Sequence, residues 1–310
     1  MSELDNQPFP RPPFVTFILV LLVAMVGFVV VGHSIGLLLA IPFSSDGLTD
    51  LLSKMGEPTS YPEIKLPMMV IQGSATLFGL IALPSLYWWA VEKLNPFQDV
   101  KAFNPLLVPF VLVLMISFIV VDSVIIEWNS NLTFPSFLKG FEDWARSFET
   151  KAGEVTKFLT TFDSFGDFVI GMIVIAVLPG IGEELVFRGF LQPTLHRATN
   201  NIHVAIWFSA ILFSAIHMQF FGFVPRMLLG ALFGYLYYWS GNLFIPMLAH
   251  FINNGLSVIG IYLYQQGKIP VDIEDTEAAP WPLVIICAAV AVVLLVQFQR
   301  YFQSRKLPAT

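Results

Sequence analysis

Phe168 to Phe190 reads FVIGMIVIAVLPGIGEELVFRGF, an apolar run that passes directly into two carboxylates and a guanidinium. The part up to Pro179 has the composition of a membrane-buried segment. A charge at the centre of a bilayer costs roughly 3 kcal/mol or more, so ionisable groups at that depth need a reason. On a helix each residue turns by about 100°. Glu184 and Arg188 therefore stand i,i+4 and can neutralise each other, while Glu183 points about a quarter-turn away. Two readings are open at this point: a structural ion pair with a spare water-facing Glu183, or a site built at depth.

The rest of the chain agrees that the surroundings are lipid. Of 310 residues 56% are hydrophobic and 12% charged, with mean hydropathy +0.73; soluble domains carry about 25% charged residues. Several runs reach the roughly 20 apolar residues that span a bilayer. The expectation is an all-α fold, a polytopic membrane bundle of about eight transmembrane helices. A formal charge of −6 and a pI near 5.3 give no basic stripe for nucleic acid. The single cysteine, Cys287, excludes an internal disulfide and a multi-Cys metal site. The first apolar run is too long for a signal-peptide core and is expected to stay as an anchor.

Spans are expected at about Phe14–Ile41, Leu66–Val91, Leu106–Ile126, Phe165–His196 (broken at Pro179-Gly180), Val204–Met218, Phe221–Tyr238, Leu243–Tyr264 and Trp281–Phe298. Between the third and fourth, Phe137, Phe141, Trp144 and Phe148 recur at helical spacing within the polar stretch Glu127–Asp163. That pattern predicts an amphipathic helix on the membrane surface. Three regions follow: 1–164, an N-terminal transmembrane region with this surface segment; 165–265, a polar-bearing core; and 266–310, a last span and basic tail. Eight spans put both termini on one side. Arg300, Arg305 and Lys306 in the tail argue that this side is the cytoplasm, which leaves the acidic stretch around Asp272, Glu274 and Asp275 outside.

More polar residues interrupt the later spans. His217 follows Phe213 by four residues; His250 and Asn254 share a helix face. Counting about 1.5 Å per residue from the inner loops places Glu183 and His217 roughly 20 Å deep, Asn254 slightly less and His250 roughly 10 Å. A single buried His is more often a packing residue. Glu, His, His and Asn on separate helices, however, are costly to bury singly and satisfy one another if they converge. A carboxylate and an imidazole can take a proton from water, and a second imidazole and a carboxamide can donate to a developing oxyanion. Glu plus two His is also a catalytic zinc composition.

Glu183-Glu184-x-x-x-Arg188, Phe213-x-x-x-His217 and His250-x-x-x-Asn254, in this order, resemble the three motifs of the CPBP family of intramembrane proteases (CAAX protease and bacteriocin-processing, or Abi). The likeness covers roughly residues 165–261. It implies an intramembrane endopeptidase in which Glu183 and His217 activate water, and His250 and Asn254 hold the oxyanion. Glu184, Arg188 and Phe213 become supports. It further implies a peptide or protein substrate at the lipid bilayer, of CAAX or leader type, no nucleic acid, and a site opening toward the cytoplasm. The expected location is the plasma (inner) membrane of a bacterium. No cofactor is favoured, because Asn254 suits an oxyanion better than zinc; a zinc ion on Glu183, His217 and His250 is the alternative. The competing functions are a transporter, or a non-catalytic immunity or sorting scaffold. Pathway-lining acids also mark proton relays, but transporters often repeat the broken helix in both halves.

Other signals are weak. Gly32-His33-Ser34-Ile35-Gly36 matches a nucleophile-elbow pattern, yet that motif needs a strand-turn-helix. His-Glu-x-x-His is missing. Asp122 suggests a hydrogen bond within the bundle, and Arg226 either interfacial snorkelling or a partner for a substrate carboxylate.

Overall fold

Backbone polar groups in lipid must be satisfied within their own segment, which leaves helices for a chain of such apolar runs. A computed structural model describes residues 10–45, 47–270 and 276–306, without the side chains of the last two. Asp272, Glu274 and Asp275, and the side chains of Arg305 and Lys306, therefore lie outside the described residues. Among the described residues all regular structure is helical.

Seven helices are long and apolar enough to cross a membrane: α1 (Pro13–Phe43), α3 (Pro62–Ala90), α4 (Leu107–Ser130), α6 (Phe165–Thr199), α8 (Phe220–Ser240), α9 (Phe244–Gln265) and α10 (Trp281–Ser304). A shorter apolar helix, α7 (Ile202–Ala215), stands between α6 and α8. Two polar helices, α2 (Gly47–Lys54) and α5 (Lys139–Leu159), complete the set. The chain forms a polytopic helical membrane bundle. Contacts across the loops define its two ends. At the end holding the termini, Arg11 pairs with Glu92 at 3.2 Å, the Tyr237 hydroxyl donates to Asp99, and Asn242 Oδ1 accepts from Lys101 N–H. At the other end Lys65 pairs with Asp163 at 2.7 Å, and Gln265 donates to the Thr160 carbonyl.

Two expectations need correction. The fourth span does not break at Pro179-Gly180: α6 runs on through them. A proline lacks the N–H for the i−4 bond and its ring collides with that carbonyl. In α6 the turns before Pro179 widen to i→i+5 over Met172–Val177, and those before Pro193 widen over Leu185–Leu191. The same arrangement, Ala75–Ala82, precedes Pro84 in α3. Widened turns absorb the prolines without ending the helix. The fifth span, in turn, ends early. Asn201 caps its start, accepting from His203 and Val204 N–H, but helix stops at Ala215, and Met218 takes a left-handed φ of 55°. Fourteen residues reach about 21 Å, short of a roughly 30 Å hydrocarbon core. The 216–222 loop thus sits at depth, where irregular backbone must be buried in protein or line a cavity.

Protein does bury it. A helix, α5, forms where the aromatic spacing predicts one, and Phe141 and Trp144 pack their rings on Phe220 at 5.0 and 5.7 Å. Glu149 Oε1 accepts from Phe221 N–H at 2.8 Å, and the Arg146 guanidinium lies 3.9 Å from the Phe221 ring. Burial pushes the Glu149 carboxyl above its usual range, the Phe221 N–H opposing in part. Asn129 closes the loop from α4, donating to the Phe220 carbonyl and accepting from Val224 N–H.

The Gly32–Gly36 stretch lies inside α1. A Cβ on Gly32 would stand 2.7 Å from the Ala75 Cα, so these glycines let α1 and α3 touch backbone to backbone. Asp122 is buried in α4 with Oδ1 lacking the hydrogen bond expected for it.

Candidate active site

Glu184 is the point where three helices meet. Its side chain is fully buried, and Oε1 accepts from Arg188 Nη1 at 2.7 Å on the same helix and from His250 Nδ1 at 2.8 Å on α9. Arg188, equally buried, donates from Nη2 to the Gly230 carbonyl of α8 at 2.8 Å. The i,i+4 pair read from the sequence is present, and it does more than cancel two charges. Removing one member of such a pair strands a charge in low dielectric, so α6, α8 and α9 are held to one mutual rotation.

That rotation aims the next residue. Glu183 keeps a side chain 16% exposed, and its Oε2 lies 4.0 Å from His250 Nε2. This is too long for a direct hydrogen bond and suits a bridging water. His217, in the loop after α7, gives its Nδ1 to the Phe213 carbonyl at 2.8 Å. A carbonyl only accepts, so Nδ1 carries the proton and a neutral ring turns its Nε2 lone pair outward. The Glu183 carboxylate and the Arg226 guanidinium act on the His217 ring through space. His217 and His250 thus share the Phe213 ring as a neighbour, and Glu183 stands 4.0 Å from His250.

Asn254, one turn beyond His250, donates from Nδ2 to the Ile175 carbonyl at 3.1 Å, and its Oδ1 accepts from Asn253. Ile175 lies in the widened turn of α6, where the backbone ladder is disturbed. The second Nδ2 proton remains to be offered elsewhere. Phe213 is buried at the centre: Arg188 lies 4.7 Å from its ring, and His217 and His250 approach its ring at 5.2 and 5.9 Å.

Several contributors were not singled out from the sequence. Phe233 of α8 stacks on His250 at 5.1 Å and 22°, but a Phe in an apolar helix is not conspicuous. Gly230 serves through its carbonyl. Gly180 lets α6 reach α9, since a Cβ there would stand 3.1 Å from the Phe251 nitrogen. The small-residue pattern Gly180-Ile181-Gly182 was its available signal. Arg226 curls back over its own loop, donating to the Gln219 Oε1 and Gly222 carbonyl oxygens.

His217 and Arg226 stand beside the 216–222 loop at the end that α5 covers, away from the end holding the termini. As for a metal, among the described residues no three His, Cys, Asp or Glu side chains are grouped to hold one. Both Nδ1 atoms are engaged, and Glu183 and His250 stand 4.0 Å apart.

Residues 165–256 match the family model of the type II CAAX prenyl endopeptidase Rce1-like proteins. The uncharacterized protein YpbD of Bacillus subtilis (strain 168) is 34% identical over 85 residues, which are 26% of this chain. The chain spans 40% of the length of that relative. No solved structure matches.

Proposed function

We propose that this chain, whose residues 165–256 carry a type II CAAX prenyl endopeptidase Rce1-like domain, is an intramembrane endopeptidase using water activated by Glu183 and His217. The observation that carries the reading is the Glu184 junction, which fixes His250 so that its Nε2 and Glu183 Oε2 face each other at 4.0 Å beside His217. Glu183 takes a proton from water, and the oxygen forms a bond to the substrate carbonyl carbon. The carbonyl electrons move onto oxygen, where the second Nδ2 proton of Asn254 and a protonated His250 Nε2 donate to it. When the intermediate collapses the C–N bond breaks, and the proton held on the Glu183–His217 side passes to the leaving nitrogen. The residues supply each transfer without a metal.

The test is a peptide-library digest by the purified protein in nanodiscs, with and without a chelator. Cleavage at the same rate in both arms is expected. Solute flux into vesicles with no peptide cut would overturn the reading in favour of transport, and loss of cleavage with chelator would restore the zinc alternative. Asn254→Ala tests the oxyanion contact. Turnover should fall about 100- to 1000-fold, as on removing one oxyanion donor, and an unchanged kcat would remove Asn254 from the mechanism.

A further inference from the structure

Arg226 is a cation at the site with no anion of its own. It lies near the start of α8, and its two hydrogen bonds go to neutral oxygens, Gln219 Oε1 and the Gly222 carbonyl. Among the described residues it makes no ion pair. The carboxylates of Glu183 and Glu149 act on it through space. Glu149 spends its Oε1 on Phe221 N–H rather than on the guanidinium, and Glu183 faces His250. A guanidinium is a rigid fork of donors that matches a carboxylate with two parallel bonds. Held half-buried by a loop that also carries His217, it is already oriented, so little side-chain entropy is lost when an anion arrives.

We propose that Arg226 is a subsite for a carboxylate of the substrate near the bond to be cut. This rests on the endopeptidase reading and narrows its substrate class to peptides carrying an anion close to the scissile bond. Two sources share that chemistry, a free C-terminal carboxylate and an Asp or Glu side chain. The position of Arg226 gives the loop under α5 a use: it presents His217 and the guanidinium to the same end of the bundle. Gln219 sets the guanidinium plane, and Gly222, where a Cβ would meet Arg226 Nη2 at 3.4 Å, leaves room for it.

The experiment titrates fluorescein-labelled apolar peptides into the full chain in nanodiscs and follows binding and cleavage separately. One peptide has a free C-terminal carboxylate, its twin a carboxamide; a second pair, both amidated, differs by Glu against Gln next to the cleavage position. The wild-type protein should bind the acid member of one pair about 10- to 100-fold more tightly, as expected for charge-assisted hydrogen bonds. The pair that discriminates identifies the source. Arg226→Gln should bind both members of that pair equally, and Arg226→Lys should keep part of the preference, since it retains the charge without the fork. Equal binding of acid and neutral peptides by the wild-type chain overturns the proposal without any variant, as does a preference that survives in Arg226→Gln. A preference without cleavage of any peptide would instead remove the endopeptidase reading and leave the anion subsite standing.

Discussion

Glu183→Gln is expected to lower peptide cleavage by about 100- to 10,000-fold, the range assigned to a positioned general base. The substitution keeps size and hydrogen-bonding capacity and removes only the ability to take a proton. Glu183 is suited to this test because it holds no part of the bundle together: its side chain is partly exposed, and its close polar neighbour is His250 Nε2 at 4.0 Å. The variant should therefore keep the wild-type melting temperature in detergent while losing turnover. His217→Ala should lose turnover over the same range, because the Phe213 carbonyl fixes that ring with Nε2 free. Turnover of Glu183→Gln within a few-fold of wild type would end the case for a carboxylate base here. A melting temperature that falls with turnover would instead make Glu183 a structural residue.

Reading residues in order recovered what depends on spacing along one helix, and lost what depends on how helices face one another. The Glu184–Arg188 pair follows from the 3.6-residue period alone, as does the aromatic stripe of α5. The partnership of Glu184 with His250 does not, because a period cannot say which faces of α6 and α9 meet. That meeting is permitted by Gly180, whose missing side chain admits the Phe251 backbone. The break expected at Pro179-Gly180 failed for a related reason. Proline ends a helix with regular turns, but widened turns elsewhere in the chain precede Pro84 and Pro193 too, and no residue pattern announces them. The early end of α7 was hidden because Ile216 and Met218 extend the apolar run while the backbone has already turned. With that turn went the placement of Arg226, which reads as an interfacial cation until the loop folds it back.

The second large effect concerns the fold rather than the chemistry. Glu184→Leu should destabilise the bundle by about 3–5 kcal/mol, the cost of leaving a buried charge without its partner. Arg188 would then keep the Gly230 carbonyl and the rings of Phe187, Phe213 and Phe233 at 5.8, 4.7 and 5.4 Å. Arg188→Met strands Glu184 in the same way. The double variant Glu184→Leu/Arg188→Met buries no charge at this position, and replacement of a whole buried pair by apolar groups of similar volume is often neutral or stabilising. Its melting temperature should return to near the wild-type value. Activity should not return, because His250 Nδ1 has lost the oxygen it rests on at 2.8 Å, and a misplacement of about 1 Å can cost about 100-fold in rate. Stability without turnover is thus the signature expected of a pair that positions His250. Single variants as stable as wild type would show that the pair contributes nothing to the fold. A double variant regaining both properties would show that His250 finds its place without Glu184, and the three-helix junction would then be packing alone.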